Sequence, residues 1–282
     1  MKTKTGRFGA LQPKYLYPLC AVSSLLLLPG QLTAQTVNLS DSGSTATVDL
    51  TGGGGMNSWS VLGQNQLQQQ WFWYSVNGGA VTPINMIGGM TYSTSGQNFL
   101  SVTYQNTQLK VNVQYSLNGG GVGSGNADIS EALTINNISG ADISNFNFYQ
   151  YSHFNLLQSG NNSVNIVGSA GSYDAVAQNS GATALEETID TPFATYAEAA
   201  LYGQTLNNFN TIAGYNLDGV TSAGPGDVTW AFQWSQDLTA GGEMDINKDK
   251  LLSITPIPEP STLGLIAVGA AAFGGRLLRR RK

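Results

Sequence analysis

The sequence predicts an all-β protein, a β-sandwich spanning residues 35–255 between two terminal segments of different composition. Three observations predict it. Short stretches alternate apolar and polar residues, as in Leu109-Lys110-Val111-Asn112-Val113-Gln114-Tyr115. Such period-two alternation places one strand face against a core and the other in water. Clusters of Gly, Asn and Ser separate the stretches, among them Asn77-Gly78-Gly79, Asn118-Gly119-Gly120-Gly121, Ser139-Gly140 and Ser159-Gly160-Asn161. These residues supply the backbone conformations that tight turns require. Finally, charged residues make up only 10% of the chain, which excludes a coiled coil and leaves the polar faces to Asn, Gln, Ser and Thr.

In chain order, the strands fall at 46–50, 71–74, 100–104, 109–115, 129–135, 146–156, 164–167 and 228–234. Trp71-Phe72-Trp73-Tyr74 carries aromatic rings on both faces, whereas Trp230, Phe232 and Trp234 share one face with Val228 and are assigned to the core. One helix is expected at 194–206, where Ala and Glu cluster. Asp245-Ile246-Asn247-Lys248-Asp249 resembles the opening of a calcium loop. Lys250 stands where that loop needs Gly, however, and Pro256 where it needs Glu. The alternation running on into Leu251-Leu252-Ser253-Ile254 predicts a final strand instead. Gly119 to Gly125 is followed by no Lys and opens no helix, so it reads as a loop rather than a phosphate cradle. No internal repeat or domain boundary divides the stretch.

The charges are sorted by position. Nine of the twelve basic residues lie in the two terminal segments. Residues 35–255 hold sixteen acids against Lys110, Lys248 and Lys250, a net charge of −13. A domain this acidic repels phosphate backbones, which excludes nucleic acid as a partner.

Within Phe146–Leu156, Phe146, Phe148, Phe154 and Leu156 share the apolar parity. Tyr149, Tyr151 and His153 take the other with Asn147 and Asn155. An outward row of this kind stacks on a sugar ring and hydrogen-bonds its hydroxyls, so Tyr149, Tyr151 and His153 are the candidate carbohydrate-binding residues. His153 is the only histidine. No Gly-x-Ser-x-Gly elbow accompanies it, and a zinc site would need further His or Cys ligands. No catalytic residue, metal or cofactor is assigned. Glu186, Glu187 and Asp190, or Asp128 and Glu131, are the acids that could act in pairs on a glycosidic bond. Tyr151-Ser152-His153-Phe154-Asn155-Leu156 resembles the supersandwich of sugar mutarotases. That resemblance implies a related fold, but the second His its chemistry needs is missing. The expected role is therefore non-enzymatic, structural or carbohydrate-binding. The alternative is a secreted carbohydrate-active enzyme: a glycosidase, a lyase or a mutarotase-like protein.

Residues 1–34 have the layout of a secretory signal peptide. Lys2, Lys4, Arg7 and Lys14 precede an apolar run from Tyr15 to Leu28, then Pro29-Gly30 and Ala34, after which cleavage is expected. The only cysteine, Cys20, lies inside this segment. A chain cleaved there has no disulfide to stabilise it and depends on its core.

Residues 256–282 have three parts in order. Pro258-Glu259-Pro260 opens the segment, and an uncharged Gly/Ala-rich run follows from Ser261. Arg276, Arg279, Arg280, Arg281 and Lys282 close it. Ser261 to Gly275 would make a helix about 22 Å long. If Arg276 snorkels, the span at about 261–278 reaches about 27 Å, close to the ~30 Å hydrocarbon core. The basic cluster at 276–282 should stay cytoplasmic and orient the span. These last residues resemble the PEP-CTERM sorting signal of Gram-negative bacteria. The resemblance implies recognition of Pro258, Glu259 and Pro260 by exosortase. It further implies transient anchoring in the inner membrane, cleavage near the motif and delivery to the cell surface or an extracellular matrix, with exopolysaccharide as a partner there. The two prolines suit this, because they bar helix and present extended backbone that a peptidase can grip.

Overall fold

The computed structural model describes residues 35–254. The expected signal peptide at 1–34, the Pro258-Glu259-Pro260 motif, the span at 261–278 and the basic cluster at 276–282 lie outside the described residues. Among the described residues no helix is long and apolar enough to cross a membrane.

The first strands are β1 (Thr36–Asp41), β2 (Ser44–Asp49), β3 (Gly55–Val61), β4 (Gln64–Asn65), β5 (Leu67–Ser75) and β6 (Thr82–Pro83). Then follow β7 (Thr91–Ser95), β8 (Phe99–Gln105), β9 (Leu109–Asn118), β10 (Asn126–Asn137), β11 (Ile143–Phe154) and β12 (Asn162–Ser169). The chain continues through β13 (Ser172–Ser180), β14 (Thr183–Thr191), β15 (Tyr196–Leu201) and the helix α1 (Gln204–Thr211). It ends with β16 (Ser222–Gly226), β17 (Val228–Leu238) and β18 (Glu243–Ser253).

The strands form two sheets packed face to face. The first runs β1-β2-β3-β5-β11-β17-β15, with β4 on β3 and β6 on β5. The second runs β16-β12-β13-β14-β18-β10-β9-β8-β7. Neighbours are antiparallel except for a short parallel contact between β3 and β5. The expected strands at 46–50, 71–74, 100–104, 109–115, 129–135, 164–167 and 228–234 are present, and the 245–254 segment is the strand β18. The run from Phe146 leaves the sheet at Phe154.

The helix expected at 194–206 is corrected. Residues 196–201 are the edge strand β15, paired with β17 from Tyr196↔Gln233 to Leu201↔Val228. The small side chains of Ala197, Ala199 and Ala200, all buried, let that edge be covered closely. Gly203, at φ +87°, ends the strand, and α1 begins one residue later. Local propensity gave way to pairing with the aromatic strand β17.

The inter-sheet core holds Phe72, Phe148, Phe154, Trp230, Phe232 and Trp234, all buried. Phe72 and Phe148 stack at 5.7 Å and Phe154 and Trp230 at 6.3 Å. Such pairs contribute about 0.5–1.5 kcal/mol beyond the area they bury. One polar contact within this layer crosses the sheets, where Trp230 Nε1 donates to Gln178 Oε1 at 3.3 Å.

Gly55 sits where β3 passes β5, at φ +57°, and a Cβ there would enter the Trp71 ring and lie 2.5 Å from the Gln70 carbonyl oxygen. Gly55→Ala should therefore destabilise the domain by about 2–4 kcal/mol. Gly53→Ala, with no atom within 4 Å of its Cβ, should be near neutral. Urea unfolding of both variants checks this, and equal midpoints would refute it.

Candidate functional site

The row read from the sequence is brought together but not as an outward face. Tyr149 and Tyr151 are fully buried, and His153 is 7% exposed. They point away from the inter-sheet core, as their parity demands. A second layer, made of α1 and the loops around it, covers them. Phe209 of α1 packs on Tyr149 at 5.1 Å and on Trp73 at 5.5 Å. Tyr149 donates its hydroxyl to the Tyr215 carbonyl at 2.7 Å. Burial pushes the Tyr149 and Tyr151 hydroxyls to raised pKa values. Tyr149 and Tyr151 thus present no ring face to a sugar, which corrects the expected solvent-facing row. Period-two alternation separates the two faces of a strand but does not reveal that a helix will cover the second.

At the end of this row His153 Nε2 lies 2.7 Å from Asp227 Oδ1, and the His153 ring stacks on Tyr202 at 4.4 Å. Tyr202 is more than half exposed. Beside this pair, the buried Glu198 carboxylate accepts hydrogen bonds from Thr205 Oγ1 at 2.6 Å and the Tyr215 hydroxyl at 2.5 Å. Burial and the Glu198 charge raise the Tyr215 pKa. The contacts of Glu198 with Thr205 and Tyr215, and of Tyr149 with the Tyr215 carbonyl, fasten the covering layer to the sheet.

The acids considered as pairs in the sequence are split by the strands that carry them. Asp128, Glu186 and Asp190 face outward, whereas Glu131 and Glu187 are fully buried between the sheets. There they meet Lys248 and Lys250, which are equally buried. Lys248 Nζ lies directly against Glu131 Oε2, and 3.8 Å from Glu187 Oε1. Lys250 Nζ lies 2.8 Å from Glu131 Oε1 and 3.0 Å from Glu187 Oε2. The first sheet supplies amides: Gln150 Nε2 donates to Glu187 at 3.0 Å and Gln70 Nε2 to Glu131 at 3.4 Å. Phe72 lies under Lys248 Nζ, 5.1 Å from ring centroid to nitrogen. Desolvation, then the neighbouring Lys250 charge, lowers the Lys248 pKa far below its ordinary value. Desolvation raises that of Glu187. This tetrad was missed in the sequence, although all four residues stand at the apolar parity of their strands.

The outer face of the second sheet is open. Asn112, Gln114 and Ser116 on β9, Asp128 and Ser130 on β10, and Asn247 and Asp249 on β18 point outward in register. A groove of about 370 Å³ crosses this face, lined by Phe99, Gln114, Ser116, Ser130, Asn247 and Asp249 among others. Asp128 accepts from Ser130 Oγ at 3.4 Å, and burial and the Asp249 charge hold its pKa above the ordinary value. No cluster of metal-ligating side chains occurs among the described residues.

Residues 256–281 match the family model of the PEP-CTERM protein-sorting motif. The chain carries a PEP-CTERM sorting signal. This is the recognised substrate signal for exosortase, and it marks the PEP-CTERM chain for export and membrane-associated sorting. No curated protein sequence matches the chain. The fold of the described residues is similar to part of a bacterial glucoamylase solved with acarbose, with TM-score 0.56 and 8% identity over 84% of this chain. The chain spans 36% of the glucoamylase's length. It is also similar to the Slr1438 protein from Synechocystis sp. PCC 6803, with TM-score 0.52 and 10% identity over 79% of this chain and 97% of that one. At such identities the likeness concerns the fold alone.

The tetrad makes a test of its own. Removing one partner leaves an uncompensated buried charge, at a cost of about 3–5 kcal/mol. Lys250→Met and Glu187→Leu should each destabilise by that amount. The double variant, balanced again in charge, should recover most of the loss in a double-mutant cycle. Additive losses would contradict the reading.

Proposed function

We propose that the β-sandwich domain is a non-enzymatic component of the cell surface or extracellular matrix that binds a neutral polysaccharide through the outer face of its second sheet. The observation that carries this reading is the open groove lined by the amides of Gln114 and Asn247, the hydroxyls of Ser116 and Ser130, Phe99, and the carboxylates of Asp190 and Asp249. Amides and hydroxyls in register hydrogen-bond a row of sugar hydroxyls, and a partly exposed ring can meet a sugar's apolar face. Charge selects the neutral class. Two of the three lysines at 35–254 are sealed in the tetrad, which leaves Lys110 as the single Lys or Arg outside it among the described residues. A surface so poor in cations repels uronate and sulfate polymers.

One observation favours a second reading, a secreted carbohydrate-active enzyme. Asp128, its pKa raised by burial and by Asp249, sits beside a carboxylate on the same face, as a general acid beside its partner would. Asp128→Asn and Asp249→Asn should then abolish turnover. Inactivity of the unaltered protein across a broad polysaccharide panel would remove this reading.

For binding, the protein should retain neutral exopolysaccharide of its host and leave acidic polymers unbound. Gln114→Ala with Asn247→Ala should weaken retention roughly tenfold or more, about 1.4 kcal/mol. Affinity electrophoresis measures both, and absence of binding to every neutral polymer would refute the proposal. For sorting, Glu259→Ala, or deletion of exosortase, should leave the uncleaved chain in the inner membrane. Normal processing in both cases, read by fractionation and mass spectrometry, would contradict it.

A further inference from the structure

The tetrad holds more reactive chemistry than an ion-pair network needs. Glu131 and Lys248 are directly opposed residues of β10 and β18, and 117 residues separate them in sequence. Lys248 Nζ lies directly against the Glu131 carboxyl group, with both side chains wholly excluded from water. Held this way, an amine and a carboxyl react with an effective molarity of about 10⁵–10⁸ M. The dry site also removes the solvent that would favour hydrolysis. Two further groups stand where such a reaction needs them. Lys250 Nζ is 2.8 Å from Glu131 Oε1, placed to stabilise negative charge on that oxygen. Glu187 Oε1, 3.8 Å from Lys248 Nζ, is the second carboxylate facing that nitrogen, and an approach of about 0.6 Å would bring it to the ~3.2 Å of a proton transfer.

We propose that Lys248 and Glu131 condense to an intramolecular isopeptide bond that staples β18 to β10. Lys248 Nζ attacks Cδ of Glu131, and a C–N bond forms. Glu187 takes a proton from the attacking nitrogen and gives one to the departing oxygen of Glu131. The C–O bond breaks and one water leaves. The balance is one amine and one carboxylic acid in, one amide and one water out, with no oxidant or cofactor. The directions of the pKa shifts agree, since burial favours an uncharged Lys248 amine and a protonated Glu187. The product amide is uncharged, so the reaction takes a buried amine and a buried carboxyl group out of the site and leaves Lys250 beside Glu187 at 3.0 Å.

Intact-mass spectrometry of the denatured full-length protein, with both termini determined, tests this. The expected mass is one water below that of the unmodified chain. Chymotryptic digestion should yield a branched peptide joining Glu131 to Lys248. Lys248→Met should restore the full mass, and Glu187→Gln should leave most molecules at full mass with unchanged near-ultraviolet circular dichroism. A full mass for the unaltered, folded protein overturns the proposal, as does a branch located on Lys250. Should the variants fail to fold, the mass and branched peptide of the unaltered chain decide the matter. The readout is covalent and independent of any polysaccharide.

Discussion

Two lysines and two glutamates sealed between two sheets set the constraint that the rest of this domain satisfies. A buried charge is tolerated only beside its partner and a full set of hydrogen bonds. Here the partners come from β10, β14 and β18, and the amides of Gln70 and Gln150 come from β5 and β11 of the facing sheet. These contacts form only when all five strands are in place, and they leave Glu131 Oε1, Glu187 Oε1 and Lys250 Nζ held by ion pairing without a hydrogen bond. The tetrad also fixes register. A slip of one residue along β18 would turn Lys248 and Lys250 outward and bury Asn247 and Asp249, leaving Glu131 and Glu187 without cations. The same slip would turn Ile246 and Leu252 outward, so the charges and the apolar side chains of β18 specify one register together.

The same economy governs the first sheet, whose central strand β11 is buried on both faces. Phe146, Phe148 and Phe154 fill the space between the sheets, while Tyr149 lies under α1 and Tyr151 is buried edge-on against Trp73. The second layer needs fasteners, since a short helix carrying one large apolar side chain, Phe209, buries little surface. Glu198, Tyr215, Gln233 and His153 with Asp227 provide them through short side-chain hydrogen bonds. Polar residues that look like a binding row in one dimension are here the attachment of one layer to another. The open polar field lies instead on the outer face of the second sheet, which no other described element covers.

The strands, the turn positions and the core parity of Trp230, Phe232 and Trp234 were legible in the sequence because alternation and turn chemistry are local. The edge strand β15 was not. Ala and Glu favour helix locally, and only pairing with β17 overrides that preference. The tetrad could have been found by parity: Glu131 lies between Ile129 and Leu133, Glu187 between Leu185 and Ile189, and the two lysines between Ile246 and Leu252. The signal is weak strand by strand, because a single charge at an apolar position reads as a departure from pattern. Four of them, balanced in sign, become a pattern only once β10, β14 and β18 are known to be neighbours. No sequence rule supplies that adjacency, since β14 and β18 are far apart in the chain.

The distribution of cations follows from the same physics and bears on where the protein works. Every Lys–carboxylate ion pair among the described residues is inside the sandwich, where salt does not screen it. Surface ion pairs would have contributed little stability and lost most of that at high ionic strength. The Lys–carboxylate pairs of this domain keep their strength as external salt changes, and residues 35–254 hold no cysteine to be reduced or oxidised. The domain also avoids the long-range attraction that would hold a basic protein to anionic polymers or lipid head groups. Recognition at such a surface has to come from short-range hydrogen bonding summed along a repeating ligand. Flat, register-ordered rows of Asn, Gln and Ser on β9, β10 and β18 are suited to that.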